Sequence, residues 1–320
     1  MLGCRPWSGA RAELVGRQTQ HPGDPVLGEN MSLVEQAIAR LRNQQLGGQR
    51  PVMGGSTAKS AVPPMVDQPD DSKVVNRLAI DPNALRAGGY LPEASKDRQF
   101  ADQYRRIKRP LIEKALSGDD AGGEPRIIVV TSAVPGDGKT FTSINLAFSM
   151  ALERDVSILL VDSDLAKHHI TDIFGLRQRK GLLDALTDES LDPETLVVAT
   201  SSRGFSILPA GTHVDGTAEL VSSNRMRQIA TSLCARNPRR ILLLDSPPLL
   251  ITNEGRALVK LAGQVVLVVR AGETPRHAVQ AAIGMVDEKQ AGGLILNQVK
   301  VGFTEGYYGY GAYGTPADGP

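Results

Sequence analysis

Residues 126–140 read RIIVVTSAVPGDGKT, and this stretch decides the fold. Arg126–Thr131 is apolar and β-branched, the composition of a strand covered on both faces. It runs into Ala133-Val134-Pro135-Gly136-Asp137-Gly138-Lys139-Thr140, after which residues 139–152 read as a helix. Strand, Gly-rich turn, Lys-Thr and helix in this order form a phosphate-binding loop. Gly136 and Gly138 let the backbone curl so that successive amide hydrogens face phosphate oxygens. The helix N-terminus adds partial positive charge. Pro135, Gly136, Asp137, Gly138, Lys139, Thr140 and Phe141 are therefore the expected nucleotide-binding residues. Lys139 is expected to reach the β- and γ-phosphates, and the Thr140 hydroxyl to bind Mg²⁺.

Two further strands end in carboxylates. Ile158–Val161 leads into Asp162-Ser163-Asp164. Residues two apart in a strand point to one side, so both aspartates are expected to face the phosphates, as metal ligands and as the base that activates an attacking hydroxyl. Ile241-Leu242-Leu243-Leu244-Asp245-Ser246-Pro247-Pro248 is a Walker B arrangement, with Asp245 as a Mg²⁺ ligand. Asn297 ends the apolar run Leu294–Leu296. It is read either as a contact to an adenine edge or as the start of a turn.

Outward from these motifs, strands are expected at 126–131, 156–161, 205–208, 241–245, 265–269 and 294–296. Helices are expected at 139–152, 216–236, 253–261 and 275–289, the last with Thr274 as its cap and Pro275 at its first position. Alternating strands and helices imply an α/β fold, a mostly parallel sheet with helices on both faces. Upstream, Ser32-Leu33-Val34-Glu35 reads as a capping box. Leu33, Val34, Ala37, Ile38 and Leu41 follow as one apolar helical stripe, giving an amphipathic helix over 31–48. Residues 1–30 lack periodicity, and Met31 reads as an alternative start. Residues 49–94 read as a linker, 95–302 as the nucleotide-binding domain, and 303–320 as a disordered tail. That tail, FTEGYYGYGAYGTPADGP, carries Tyr307, Tyr308, Tyr310 and Tyr313 as exposed phosphoryl acceptors.

Composition removes other classes. Lys plus Arg number 36 and Asp plus Glu 35, a net charge of +1, so nothing points to nucleic acid. Two cysteines, Cys4 and Cys234, cannot form a disulfide framework or a Cys-based zinc site and suit a reducing cytosol. No apolar run reaches the ~18 residues a spanning helix needs, and no secretory signal is read at the start.

Taken together, Ser132-x-x-Pro-Gly-Asp-Gly-Lys-Thr, apolar-Asp-Ser-Asp, Leu-Leu-Leu-Asp-Ser-Pro-Pro and the terminal Tyr cluster resemble the bacterial tyrosine kinases. Within them, Met31-Ser-Leu-Val-Glu-Gln-Ala, Tyr104-Arg-Arg-Ile-Lys-Arg-Pro and Gly-Tyr-Tyr-Gly-Tyr-Gly are similar to the exosortase-associated autokinases of exopolysaccharide gene clusters. The resemblance covers roughly residues 31–314. It implies a P-loop NTPase that uses ATP and Mg²⁺ to phosphorylate its own tail in trans, within a ring-like homo-oligomer. It also implies a membrane-anchored chain-length determinant as activator, a cognate phosphatase, and cytoplasmic residence at the inner face of the inner membrane. The family's Glu-x-x-Arg-x-x-Arg oligomerisation motif corresponds here to Asp102-x-x-Arg105-x-x-Lys108, and Lys167 stands where an Arg often follows the carboxylate pair. Related partition and septum-site ATPases carry a Lys five residues before the P-loop Lys. Val134 occupies that position here, against a positioning ATPase. A nucleotide-bound scaffold of polysaccharide export is the non-enzymatic alternative.

Overall fold

The computed structural model describes residues 77–117 and 124–299. The expected N-terminal helix, the start at Met31, and all four tail tyrosines lie outside these residues.

Seven strands form one sheet: β1 (Ile127–Ser132), β2 (Ser157–Asp162), β3 (Val198–Ala199), β4 (Phe205–Leu208), β5 (Arg240–Asp245), β6 (Gln264–Arg270) and β7 (Ala291–Asn297). Their order is β3-β4-β2-β5-β1-β6-β7, parallel except for the short β3–β4 pair. Side chains alternate between two faces. Ile128, Val130, Ile158, Leu160, Ile241 and Leu243 enter one core, while Ile127, Val129, Leu159, Val161, Leu242 and Leu244 enter the other. A strand buried on both sides needs an unbroken apolar run, which is why these segments were readable. Truncating one such residue, as in Leu160→Ala, costs about 2–5 kcal/mol.

Nine helices of the described residues cover the sheet: α1 (Pro82–Ala87), α2 (Asp97–Leu116), α3 (Lys139–Ala151), α4 (His169–Ile173), α5 (Leu182–Thr187), α6 (Thr217–Val221), α7 (Asn224–Ala235), α8 (Asn253–Leu261) and α9 (Arg276–Ile283). Phe100, Tyr104, Ile107, Leu111 and Ala115 form the buried stripe of α2 against the first core, which α3 shares. Residues from α5 to α9 pack into the second.

Four expectations are corrected. Residues 77–94 are not linker. Leu78 bridges Thr200, and Ile80, Leu85 and Leu91 are buried in the first core. Asp81 caps α1 through the Asn83 amide at 2.9 Å, with Pro82 following. The helix expected at 216–236 is two, because Ser223 is extended and its side chain accepts from the Met226 amide, starting α7 afresh. The helix expected at 275–289 ends at Ile283, with Gly284 at its C-cap, and a separate 3₁₀ turn follows at Glu288–Gln290. Pro275, not Thr274, is its N-cap, and the Thr274 hydroxyl goes elsewhere.

Candidate nucleotide-binding site

The register brings the motifs together. Asp162 pairs with Asp245 on adjacent strands, and Val130, just ahead of the loop, pairs with Asp245 from the other side. All three motifs thus emerge at the carboxyl edge of the sheet, where open α/β sheets bind ligands.

The loop itself turns on two glycines. Gly136 has φ +89° and Gly138 φ +91°, a region that L side chains rarely enter. A Cβ on Gly138 would lie 2.1 Å from Asn297 Nδ2. Pro135 and Gly136 form the exposed lip. The first amides of α3 have no acceptor within the helix, leaving them for an anion.

Thr140 Oγ1 donates to Asp245 Oδ2 at 2.7 Å, and Ser143 Oγ donates to Asp245 Oδ1 at 2.9 Å. Asp245 is fully buried, and burial pushes its carboxyl up to about 6. Lys139 is buried as well. Burial lowers its pKa, with Asp245 and Asp164 opposing. An ammonium held in this way gains from an anionic ligand that restores its lost hydration.

The two aspartates of 162–164 do different things. Asp162 Oδ2 accepts from the Thr171 amide at 2.8 Å and the Thr171 hydroxyl at 2.6 Å, while its Oδ1 is buried without a partner. Burial raises its pKa to about 7. The Thr171 hydroxyl in turn accepts from the Ala210 amide at 2.9 Å, fixing the carboxylate to the end of β4. Asp164 is buried and acts electrostatically on both Lys139 and Asp245. Thus Asp164 acts on the loop lysine through its charge, whereas Asp162 is tethered to α4.

Three of the expected nucleotide-binding residues have side chains engaged within the protein. Asn297 is fully buried; its Nδ2 donates to the Asp137 carbonyl at 2.8 Å, and its Oδ1 accepts from the Gln298 amide at 3.0 Å. It clamps the loop from beneath. The Phe141 ring packs edge-on to Phe100, centroids 6.2 Å apart, so only its backbone belongs to the cradle. The Asp137 side chain turns away from the cradle: Thr274 Oγ1 donates to its Oδ1 at 2.7 Å, and burial raises its pKa. Asp137, Thr274 and Asn297 therefore brace the loop against β6 and β7.

Thr171 and Ser143 were not singled out from sequence, and Thr274 reads there only as a helix cap. Each is a hydroxyl whose partner lies at least nine residues away, and no spacing rule announces such a pair. Arg270 was also missed. It ends β6 beside Asn297, and its Nε is buried without a partner.

Outside the site, Lys108 bears on assembly. It is buried, donates to the Ser149 carbonyl at 2.6 Å and pairs with Glu153 at 2.7 Å. Asp102 and Arg105 pair with one another at 2.9 Å on the exposed face. The third position of the expected oligomerisation motif is thus engaged within its own subunit.

Among the described residues no group of three or more His, Cys, Asp or Glu side chains forms a protein-only metal site. Magnesium at a phosphate site does not need one, because it takes one or two protein oxygens and completes its shell with phosphate and water. The Thr140–Asp245 pair fits that requirement.

A parallel sheet, a Gly-rich loop opening a helix, and a buried Lys with carboxylates on neighbouring strands define a P-loop nucleotide-binding protein. No family model matches the chain. It is 31% identical to the tyrosine-protein kinase YwqD of Bacillus subtilis over 213 residues, 65% of this chain and 86% of that protein. It is 26% identical to the tyrosine-protein kinase wzc of Salmonella typhimurium, over 58% of this chain but 26% of that one. The kinase domain of the Escherichia coli tyrosine kinase Etk superposes with a TM-score of 0.55 at 25% identity, covering 66% of this chain and 80% of that chain. The VpsO kinase domain gives 0.53 at 26%, covering 64% and 99%. The chain belongs to the bacterial tyrosine kinases. It spans about a quarter of the length of several longer curated relatives. Among the described residues no helix is long and apolar enough to cross a membrane.

Proposed function

We propose that this chain transfers the γ-phosphoryl group of ATP to tyrosines of its own C-terminal cluster, Tyr307, Tyr308, Tyr310 and Tyr313, on a neighbouring copy. The observation that carries the reading is the convergence of Thr140, Asp245 and Asp162 beneath one phosphate loop, in a chain that carries four tyrosines between 307 and 313. Phosphoryl transfer needs positioning and charge neutralisation more than covalent help. Lys139 and the amides of residues 136–141 hold the phosphates. Thr140 and Asp245 are the residues for Mg²⁺, with Asp164 and Asp162 beside them; bound Mg²⁺ supplies positive charge to the phosphate oxygens. Asp162 accepts the phenolic proton as the tyrosine oxygen bonds to phosphorus and the bond to the β-phosphate oxygen breaks. Three features suit it: Oδ1 has no other partner, Oδ2 is held by Thr171, and its pKa of about 7 is closer to that of a phenol (about 10) than an ordinary carboxylate's.

Transfer in trans implies a homo-oligomer. Arg105 and Asp102 remain exposed for a ring contact, while Lys108 does not. The rest of the reading is a role in exopolysaccharide polymerisation and export, a membrane-anchored chain-length determinant as activator and membrane recruiter, and a phosphatase that resets the tail. It rests on the motif resemblance. A positioning ATPase is the second reading, disfavoured by the half-buried apolar Val134. Incubation with γ-labelled ATP and Mg²⁺ separates the possibilities. Label on tyrosine, lost in Lys139→Met, supports the kinase. Released phosphate without labelled protein supports the ATPase, and neither product supports a scaffold.

A further inference from the structure

A cavity of about 340 Å³ lies between the start of α7 and the outer face of α8, on the side of the sheet opposite α3. Its wall carries three cations, Arg227 from α7 and Arg256 and Lys260 from α8, and no acidic residue lines it. Arg227 and Lys260 form no ion pair with a described residue. Ser223 and Asn224 close one end with a hydroxyl, an amide and the first turn of the twelve-residue α7. Buried Met226 supplies an apolar, polarisable wall. No residue of the phosphate loop lines this cavity, so it is separate from the nucleotide site.

Three like charges around one concavity repel one another, and the low-dielectric wall focuses their field outwards. A dianion with several acceptor oxygens relieves that repulsion, and Arg fits it bidentately. The thioether of Met226 suits an aromatic ring. We propose that this cavity binds an aryl phosphate monoester: a phosphotyrosine of the C-terminal cluster of a copy of this chain. The identity of the ligand rests on the kinase reading above. Each phosphate adds roughly −1.5 to −2 charges to its tyrosine. No Lys or Arg follows Lys300, so nothing in the tail offsets them. Arg256 also joins the cavity to the loop. Its guanidinium donates to the Leu249 and Leu250 carbonyls at 3.3 and 3.2 Å, and the amides of those residues donate to the Ser132 and Ala133 carbonyls at 2.8 and 3.3 Å.

The test is fluorescence anisotropy of a labelled synthetic peptide of residues 303–314 phosphorylated at Tyr307 and Tyr308. It is titrated with full-length protein whose nucleotide site is filled by saturating ADP and Mg²⁺. The expected result is phosphopeptide binding that Arg227→Gln/Lys260→Gln weakens about tenfold or more, since two charge-assisted contacts are lost. Both substituted residues are exposed, and circular dichroism checks the fold of the variant. The proposal is overturned by equal binding to wild type and variant, by equal binding of the unphosphorylated peptide, or by inorganic phosphate competing at the concentration of the phosphopeptide itself. The synthetic ligand needs no kinase activity, so this result stands apart from the labelling test of the kinase reading.

Discussion

Replacing Asp162 by Asn should make the nucleotide-free protein more stable at pH 8 while abolishing phosphoryl transfer. Asp162 is fully buried, and burial raises its carboxyl from 3.8 to about 7. A folded-state pKa above the unfolded value means that the native state holds the proton more tightly. The stabilisation this gives is complete below pH ~4 and is lost as pH rises through about 7. Each pH unit in that window is worth about 1.4 kcal/mol, so the native protein loses up to about 4 kcal/mol between pH 4 and pH 8. Asn keeps an oxygen for the two Thr171 donors and carries no charge. Its amide nitrogen takes the place of the orphaned Oδ1, at a cost of about 1 kcal/mol. The net gain at pH 8 is about 3 kcal/mol, and at pH 4 it turns into a loss of about 1 kcal/mol. For a domain of this size the gain corresponds to roughly 6–12 °C in Tm. The assay is urea unfolding of wild type and Asp162→Asn with EDTA and no nucleotide, at pH 4, 6 and 8. Parallel stability curves across that range would show that the buried carboxylate is not the source and would refute the reasoning.

Gly138→Ala should abolish ADP-dependent thermal stabilisation, because its backbone has φ +91° and the added methyl meets Asn297 at 2.1 Å; a companion Asn297→Ala should recover part of the loss. Recovery by that companion, measured as ADP affinity in a calorimeter, separates the clash from the backbone strain of roughly 1–2 kcal/mol. Lys108→Met should cost about 1–2 kcal/mol in chemical unfolding, because the Ser149 carbonyl loses its donor, yet leave the mass in light scattering unchanged. Arg105→Ala, on an exposed pair, should do the reverse: change the assembled mass and leave monomer stability within about 0.5 kcal/mol.

The phosphate-loop edge of the sheet was readable because its parts are local. A strand buried on both faces is an apolar run, the phosphate loop is eight contiguous residues, and each carboxylate sits at a strand end. Phe205–Leu208 and Asn253–Leu261 were delimited to the residue for the same reason. Side-chain direction was not readable. Asp162 and Asp164 share a strand-like spacing, yet Thr171 captures only the first, and the second acts on Lys139 through its charge. Thr274 reads as a helix cap, but its hydroxyl has a buried carboxylate within reach, and that bond in a low dielectric wins. Asn297 reads as an adenine contact or a turn; its bond to the Asp137 carbonyl, beneath Gly138, is a long-range pairing that no local pattern announces. Residues 77–94 read as linker because two Pro, a Gly pair and four charges interrupt any sustained apolar period. Ile80, Leu85 and Leu91 nonetheless reach one core. Lys108, expected as the third position of an oligomerisation motif, is buried because a carbonyl and Glu153 satisfy its ammonium.

One measurement tests the central claim most directly: tandem mass spectrometry of the C-terminal peptide after the full chain is incubated with ATP and Mg²⁺ and a candidate activating segment. The account predicts phosphate on one or more of Tyr307, Tyr308, Tyr310 and Tyr313, absent from Lys139→Met run in parallel. An unmodified tail in the wild type, or equal modification in that variant, would contradict it.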